Sequence, residues 1–418
     1  MLDLKLLREN PELIREALKK RNSLVNLDPL LTLEAKRRQL LTSVEQERHA
    51  LKQASEAFAR NKAANAAPPA ELKRQSEAIK AKERELSAAE DEILQQLAYV
   101  PNVPHASVPV GDAKTNRIER TIGQKPSFAF KPKTHLELSD QLGLMDFERA
   151  AKITGSHFPL FTGQGARLER ALINWMLDVQ TKEHGYTEIA PPYLVNRASM
   201  TCTGQLPKFE DDMYRLKDDD LFLVPTAEVP LTNLHRDEIL EESRLPITYT
   251  GYTACFRREA GSYGKETRGL VRVHQFDKVE LVRFARPESS YDELETLVGH
   301  AETILKRLGL HYRVVCLATG DLSFSAAKCY DLEAWAPGLG QYLEVSSCSN
   351  FEEFQAQRAD IRCRQDATKK TRFVHTLNGS GVALARTLVC LLETHQRPDG
   401  RVAIPEPLRP YLDGQELL

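Results

Sequence analysis

Between Leu30 and Asn61 the chain contains no glycine or proline, and its apolar residues Leu30, Leu33, Leu40, Val44, Leu51, Ala54 and Phe58 fall in steps of three, four or seven. That spacing predicts one apolar stripe on an α-helix reaching ~50 Å at ~1.5 Å per residue. After the breaker Ala66-Ala67-Pro68-Pro69, Leu72, Ile79, Leu86 and Ile93 recur seven apart. Two heptad stripes either side of a breaker predict an antiparallel coiled-coil hairpin over about residues 28–98, too long for a globular core to cover. Ahead of it, residues 1–26 predict one or two short helices, with Pro11 opening a turn and Leu13, Ile14, Ala17 and Leu18 on one face. The distal half is basic: Arg48, Lys52, Arg60, Lys62, Lys73 and Arg74 stand against only Glu56 and Glu71. Two uses are open. Such an arm suits the phosphate backbone of a structured RNA, or it is a dimerisation coil with solvated flanking charges.

Pro101, Pro104 and Pro109 punctuate a polar segment that cannot sustain a helix, so a boundary is expected there, with an N-terminal helical arm over residues 1–103 and a second domain over 104–418. In that second part, strand-like runs alternate irregularly with helical ones, which predicts an α+β fold on an antiparallel sheet. No G-x-G-x-x-G follows a strand and no G-x-x-x-x-G-K-[ST] occurs, so a nucleotide site here needs another construction. No apolar run approaches the ~20 residues that span a bilayer, and the first residues mix acids with bases, so the expected place is the cytoplasm, with no membrane partner. Seven cysteines without a C-x-x-C pair predict reduced thiols and no zinc site. With a formal net charge of −2, any nucleic-acid surface must be local.

The stretch Phe256–Glu280 reads FRREAGSYGKETRGLVRVHQFDKVE. Apolar alternation over Tyr249–Phe256 and again over Leu270–Leu281 predicts two antiparallel strands joined by a loop carrying Gly261, Gly264, Gly269, Lys265, Arg268 and Arg272. The loop could close over a polyphosphate, since guanidinium groups grip phosphate oxygens bidentately, with Phe276 offering a flat face to a purine; a solvated hairpin fits the same charges. Further on, Gln341–Asn350 has a strand-like start and a small polar end, and Asn378-Gly379-Ser380-Gly381 precedes a helical run through Arg386 to about Glu393. Glycines before a helix would let a ligand approach its positive end, though N-G-S-G also makes plain turns. Cys348 has no neighbouring histidine in sequence, and a covalent role for it is not expected.

In order and spacing these pieces resemble the three motifs of class II aminoacyl-tRNA synthetases, and across the whole chain they are similar to the bacterial type of seryl-tRNA synthetase. The helix around Gly165–His184, with Leu168, Leu172, Trp175 and Val179, and the strand Gly185–Ile189 closed by Pro191 and Pro192, resemble motif 1, which implies a homodimer. FRRE to HQFDKVE resembles motif 2, and NGSGVALAR motif 3. TAEVPLTN resembles the amino-acid recognition loop. The resemblance implies that Thr226, Ala227 and Glu228 bind the ammonium of L-serine and its surroundings, and that Glu280 with Ser380 binds its hydroxyl. It also implies an ATP site at Arg257, Arg258, Glu259, Phe276, Glu344, Val345, Ser346, Ser347 and Arg386. Within it Arg257 holds the α-phosphate, Glu259 the adenine or ribose side, Phe276 the base and Arg386 the γ-phosphate. Arg257, Glu259 and Arg386 form the catalytic set, and Glu344 and Ser347 are the Mg2+ ligands.

The implied reaction is activation of serine with ATP and transfer to the 3′ end of tRNA(Ser), with tRNA(Sec) a further acceptor to consider and the arm holding the tRNA. Two alternatives stand beside it, a ligase loading an amino acid onto a carrier protein and a catalytically silent tRNA-binding paralogue.

Overall fold

The computed structural model describes residues 1–60, 70–259 and 268–418. It divides into two compact units, Leu2–Pro101 and Asn102–Leu418, the latter taking in Met1.

In the smaller unit, helices Leu4–Glu9 and Pro11–Lys20 precede two long ones, α1 (Asp28–Arg60) and α2 (Ala70–Leu97). The Asn10 side chain accepts from the Leu13 amide and Pro11 sits in the first turn, where its missing N–H costs nothing. Every heptad residue named above is buried or half-buried. Polar bridges flank the seam: Arg37 Nε donates to Glu90 Oε1 at 3.1 Å, Lys82 Nζ to Ser43 Oγ at 2.9 Å, and Arg48 Nε to Glu83 Oε1 at 2.8 Å. From Arg37–Glu90 to Arg48–Glu83 the partners climb one helix while descending the other, so the pair is antiparallel. Arg48 therefore spends its charge inside the hairpin, whereas Lys52, Lys73 and Arg74 are exposed. Lys62 and the breaker around Pro68 lie outside the described residues.

The larger unit is built on eight strands: β1 (Arg117–Ile122), β2 (Thr187–Glu188), β3 (Ile247–Phe256), β4 (Gln275–Ala285), β5 (Tyr312–Cys316), β6 (Lys328–Ala336), β7 (Gln341–Asn350) and β8 (His375–Ala383). They lie in the order β1-β5-β6-β7-β8-β4-β3-β2. All neighbours are antiparallel except the short edge pair β2–β3. Helices α3 (Gly163–Lys182), α4 (Ser290–Arg307) and α6 (Leu384–Thr394) share one core with the sheet, while α5 (Phe354–Ala359) belongs to a second. Leu172 and Trp175 of α3, Leu297 of α4 and Leu388 of α6 meet Val279 and Leu281 of β4 in the main core. On the other face of β4, Val282 and Phe284 join Leu231, Ile247 and Ala356. Strand β4 is thus buried on both faces, which is why it reads as a dense run of hydrophobics from Val279 onward.

Two segments differ from their sequence reading. The return strand begins at Gln275, not Leu270, because Leu270–His274 is held by side-chain and loop contacts: the Leu270 amide donates to His135 Nε2 at 3.3 Å, and the His274 amide to the His157 carbonyl at 2.8 Å. The loop residues Gly261, Gly264 and Lys265 lie outside the described residues. Second, Asn378–Gly381 is not a turn before a helix but the body of β8, and the helix starts only at Leu384. Gly379 is a packing glycine: a Cβ there would meet Leu297 Cδ2 at 2.1 Å and Cys348 Sγ at 2.9 Å.

One buried carboxylate ties several of these pieces together. Glu393 of α6, with no exposure, accepts from the His135 amide at 2.8 Å and from the Gly338 and Leu339 amides at 2.8 and 3.0 Å, while the imidazole of His135 carries the link to Leu270. Glu393→Ala leaves these backbone donors, buried at His135 and half-buried at Gly338 and Leu339, without an acceptor, so a loss of about 3 kcal/mol or more is expected. Urea unfolding checks this; a midpoint equal to that of the parent chain would contradict it.

Candidate active site

A cleft of about 490 Å³ opens over β4, β7 and β8. The alternation of β4 brings Phe276, Lys278 and Glu280 to one face, with Glu280 deepest at 0% exposed. Register does the rest. Glu280 stands opposite Ser380 of β8, and then the ladder shifts so that Ala383 stands opposite Lys278. That irregularity, at Gly381 and Val382, re-aims the chain into α6 and brings Arg386 to the cleft. A similar shift at Val345 lets Glu344, Val345, Ser346 and Ser347 all line it.

The inner end is a closed polar network. Thr226 Oγ donates to Glu280 Oε2 at 2.7 Å and accepts from Lys278 Nζ at 2.9 Å, and Lys278 forms an ion pair with Glu280. Gln355 Nε2 donates to Glu228 Oε1 at 2.7 Å; Asn378 Nδ2 donates to Glu228 Oε2 at 2.8 Å and reaches Glu280 Oε1 at 3.3 Å. Burial, and then the nearby Glu280, push the Glu228 carboxyl up to about 7, against the opposing pull of Gln355, Lys278 and Arg257. Ser380 lies beside this network, with its carbonyl accepting from Ser346 Oγ at 2.6 Å. The arrangement offers acceptors for an ammonium and for a hydroxyl within one pocket.

The outer end carries guanidinium groups. Arg257 Nε donates to the Pro225 carbonyl at 3.3 Å, and its guanidinium lies 5.2 Å from the centre of the Phe276 ring. Arg386 donates to the Val271 carbonyl at 3.0 Å and to the Glu344 carbonyl at 2.9 Å, with Glu344 Oε2 at 3.3 Å. Glu259 is ion-paired with Arg272. Two arginines from distant segments and an aromatic face line one opening, which suits a nucleotide polyphosphate and its base.

Three residues implied by the resemblance sit apart from the cleft wall. Ala227 is fully buried in the second core. Arg258 points to the ring of Tyr214, 6.0 Å away. Glu280 lies beneath the wall and acts through Thr226, Lys278 and Asn378. Conversely, Lys278, Gln355, Asn378 and Asp331 were not anticipated. Lys278 and Asn378 are each two residues from a named site residue on the same strand face, a period-two signal that the sequence carries; Gln355 and Asp331 come from elements whose approach only the fold reveals. Asp331, across β6–β7 from Ser347, has its carboxyl pushed well up by burial and by Glu344. Cys348 is buried, with its thiol pushed up to about 12 by that burial, and His375 is engaged with Ser290 Oγ at 2.7 Å, so no thiolate nucleophile forms there. All seven cysteines are free.

Residues 1–104 match the family model for the seryl-tRNA synthetase N-terminal domain, and residues 208–395 that for the tRNA synthetase class II core domain (G, H, P, S and T). A serine-tRNA ligase of Geobacter sulfurreducens is 55% identical over 99% of both chains. Among solved structures, seryl-tRNA synthetase from Pyrococcus horikoshii complexed with ATP superposes with TM-score 0.93 at 39% identity, covering 100% of this chain and 99% of that one. The cytoplasmic serine-tRNA ligase of Naegleria fowleri in complex with AMP follows at TM-score 0.87 and 32% identity, covering 100% and 98%. With both halves matched and full-length relatives well above the level at which fold and family part company, this chain belongs to the seryl-tRNA synthetase family of class II aminoacyl-tRNA synthetases.

Proposed function

We propose that the chain is a serine:tRNA ligase that forms seryl-adenylate in the cleft and passes the seryl group to a tRNA. The observation that carries this is the pairing, within one opening, of a buried two-carboxylate pocket with Arg257 and Arg386. The full-length serine-tRNA ligase relatives support the same reading, and nothing found favours a carrier-protein ligase or a silent paralogue.

The ammonium of serine would meet Glu228, and its hydroxyl Glu280 and Ser380. A pocket whose acceptors need a hydroxyl leaves them unpaired when alanine enters, a discrimination on the order of 10⁴. ATP would lie with its base at Phe276, its α-phosphate at Arg257 and its γ-phosphate at Arg386, with Glu259 on the adenine or ribose side. The serine carboxylate oxygen attacks the α-phosphorus and the bond to pyrophosphate breaks. A terminal ribose hydroxyl of the tRNA then attacks the seryl carbonyl, AMP leaves, and the hydroxyl proton passes to solvent. No protein nucleophile takes part; the protein positions the reactants and stabilises charge. Arg386 exchanges its Glu344 contacts for phosphate on this reading, freeing that carboxylate.

Magnesium would enter with ATP. Among the described residues no group of three or more His, Cys, Asp or Glu is arranged to hold a metal. The hard oxygens of Glu344 and Ser347 at the cleft wall fit an ion that takes the rest of its shell from phosphate and water. The helical unit, with Lys52, Lys73 and Arg74 exposed, suits the backbone of tRNA(Ser). A homodimer through the α3 region and a cytoplasmic setting complete the reading; no helix among the described residues is long and apolar enough to cross a membrane.

Arg257→Ala is expected to reduce serine-dependent pyrophosphate–ATP exchange by 10³-fold or about that, the effect of removing one charge-stabilising donor; a rate equal to the parent's would contradict its role. Removal of residues 30–100 is expected to spare adenylate formation and abolish tRNA charging, measured with radiolabelled serine. Charging that survives the deletion would assign the arm another use.

A further inference from the structure

Lys278 lines the pocket but is accounted for by neither the implied serine ligands nor the implied ATP ligands, and it is nearly inaccessible, at 5% exposed. An ammonium only donates. Its 2.9 Å bond therefore makes the Thr226 hydroxyl an acceptor, and the hydroxyl's own proton goes to Glu280 Oε2 at 2.7 Å. The Glu228 backbone amide adds a second donor to the same hydroxyl at 3.2 Å, so Thr226 has no freedom left to turn. Glu280 Oε2 is occupied by Lys278 and Thr226, while among the described residues Oε1 is met by Asn378 at 3.3 Å and is the less engaged oxygen.

Charge tells the same story. Glu228 and Glu280 share the Asn378 amide in a site with almost no solvent, and Lys278 cancels one of the two negative charges. The remaining one matches a single ligand ammonium. The groups facing Glu228 are Glu280 and Lys278 of β4, Arg257 at the end of β3, Gln355 of α5 and Asn378 of β8, and Lys278 is among those that favour its ionised form. Arg257 is turned over Phe276.

We propose that Lys278 is a specificity-determining positioning residue, which orients Thr226 and Glu280 and sets the pocket to accept one ammonium beside a neutral hydroxyl. The proposal rests on the serine pocket described above. Without that lysine the pocket carries two uncompensated acids and suits a ligand with two ammonium groups, for which 2,3-diaminopropionate, serine with an amine in place of its hydroxyl, is the probe.

The test is pyrophosphate–ATP exchange by the full chain, with KM measured for serine and ATP and Ki for 2,3-diaminopropionate. In K278M the serine KM is expected to rise about 100-fold, in line with breaking a buried ion pair, while the ATP KM stays within about twofold. The ratio of diaminopropionate to serine affinity is expected to rise by at least ~10-fold as the repelling cation is removed. K278R, which keeps the charge, is expected to hold the parent's ratio and a serine KM within about tenfold of it. An unchanged serine KM in K278M, equal rises for serine and ATP, or an unchanged diaminopropionate ratio would each overturn the proposal. So would a K278R that loses serine as completely as K278M, which also decides the matter if K278M does not fold. If the parent chain gives no exchange with serine, the pocket itself is misread; if E280Q loses serine and K278M does not, only the role of Lys278 falls.

Discussion

The antiparallel register of β4 is the constraint on which the site depends. With side chains alternating at period two, Phe276, Lys278 and Glu280 face the cleft while Asp277, Val279 and Leu281 face the other way. A slip of one residue would exchange the two sets, driving a lysine and a glutamate into the apolar core beneath α3 and α6. Both neighbours oppose that slip. On one side Glu280 is held opposite Gly251, where a Cβ would meet the Ile189 carbonyl at 2.8 Å; on the other it is held opposite Ser380. The apolar half of β4 thereby fixes the polar half: burial of Val279, Leu281, Val282 and Phe284, each contributing ~1.5–3 kcal/mol, determines where Lys278 and Glu280 must point.

Several charges of the site are paired within the protein, Lys278 with Glu280, Arg272 with Glu259 and Arg386 with Glu344. Buried ion pairs add little net stability because desolvation offsets their attraction, so their worth lies in fixing geometry. The pairs differ in depth. Lys278 and Glu280 are shut away from water, whereas the Arg386 and Glu344 side chains are 31% and 47% exposed. The deep pair suits a permanent template for a small amino acid, and the shallow ones suit partners that a nucleotide can displace.

Much of this was legible in the sequence where a local period carried it. The hairpin followed from heptads because the seam of a coiled coil repeats along one chain, and the antiparallel sheet from irregular alternation of strand-like runs. Local reading failed where a distant contact decided the outcome. Val271 and Val273 alternate like a strand, yet the Leu270–His274 segment is held by His135 and His157 from the region before α3. Asn378-Gly379-Ser380-Gly381 has the composition of a turn, yet Leu297 and Cys348 press so closely on Gly379 that only an extended glycine fits. Gln355 and Asp331 reach the site from α5 and β6, across the fold rather than along the chain, and nothing in their own surroundings marks them.

On the proposed reading, a pocket of paired carboxylates, fixed by the β4 register, selects a small amino alcohol for reaction with ATP. Pyrophosphate–ATP exchange by the full chain with each of the twenty amino acids in turn tests it most directly. Exchange with serine is expected, with a preference over alanine on the order of 10⁴, since on the proposed reading alanine leaves the hydroxyl acceptors at Glu280 and Ser380 unpaired. Comparable exchange with alanine, or activation of another amino acid in preference to serine, would contradict it.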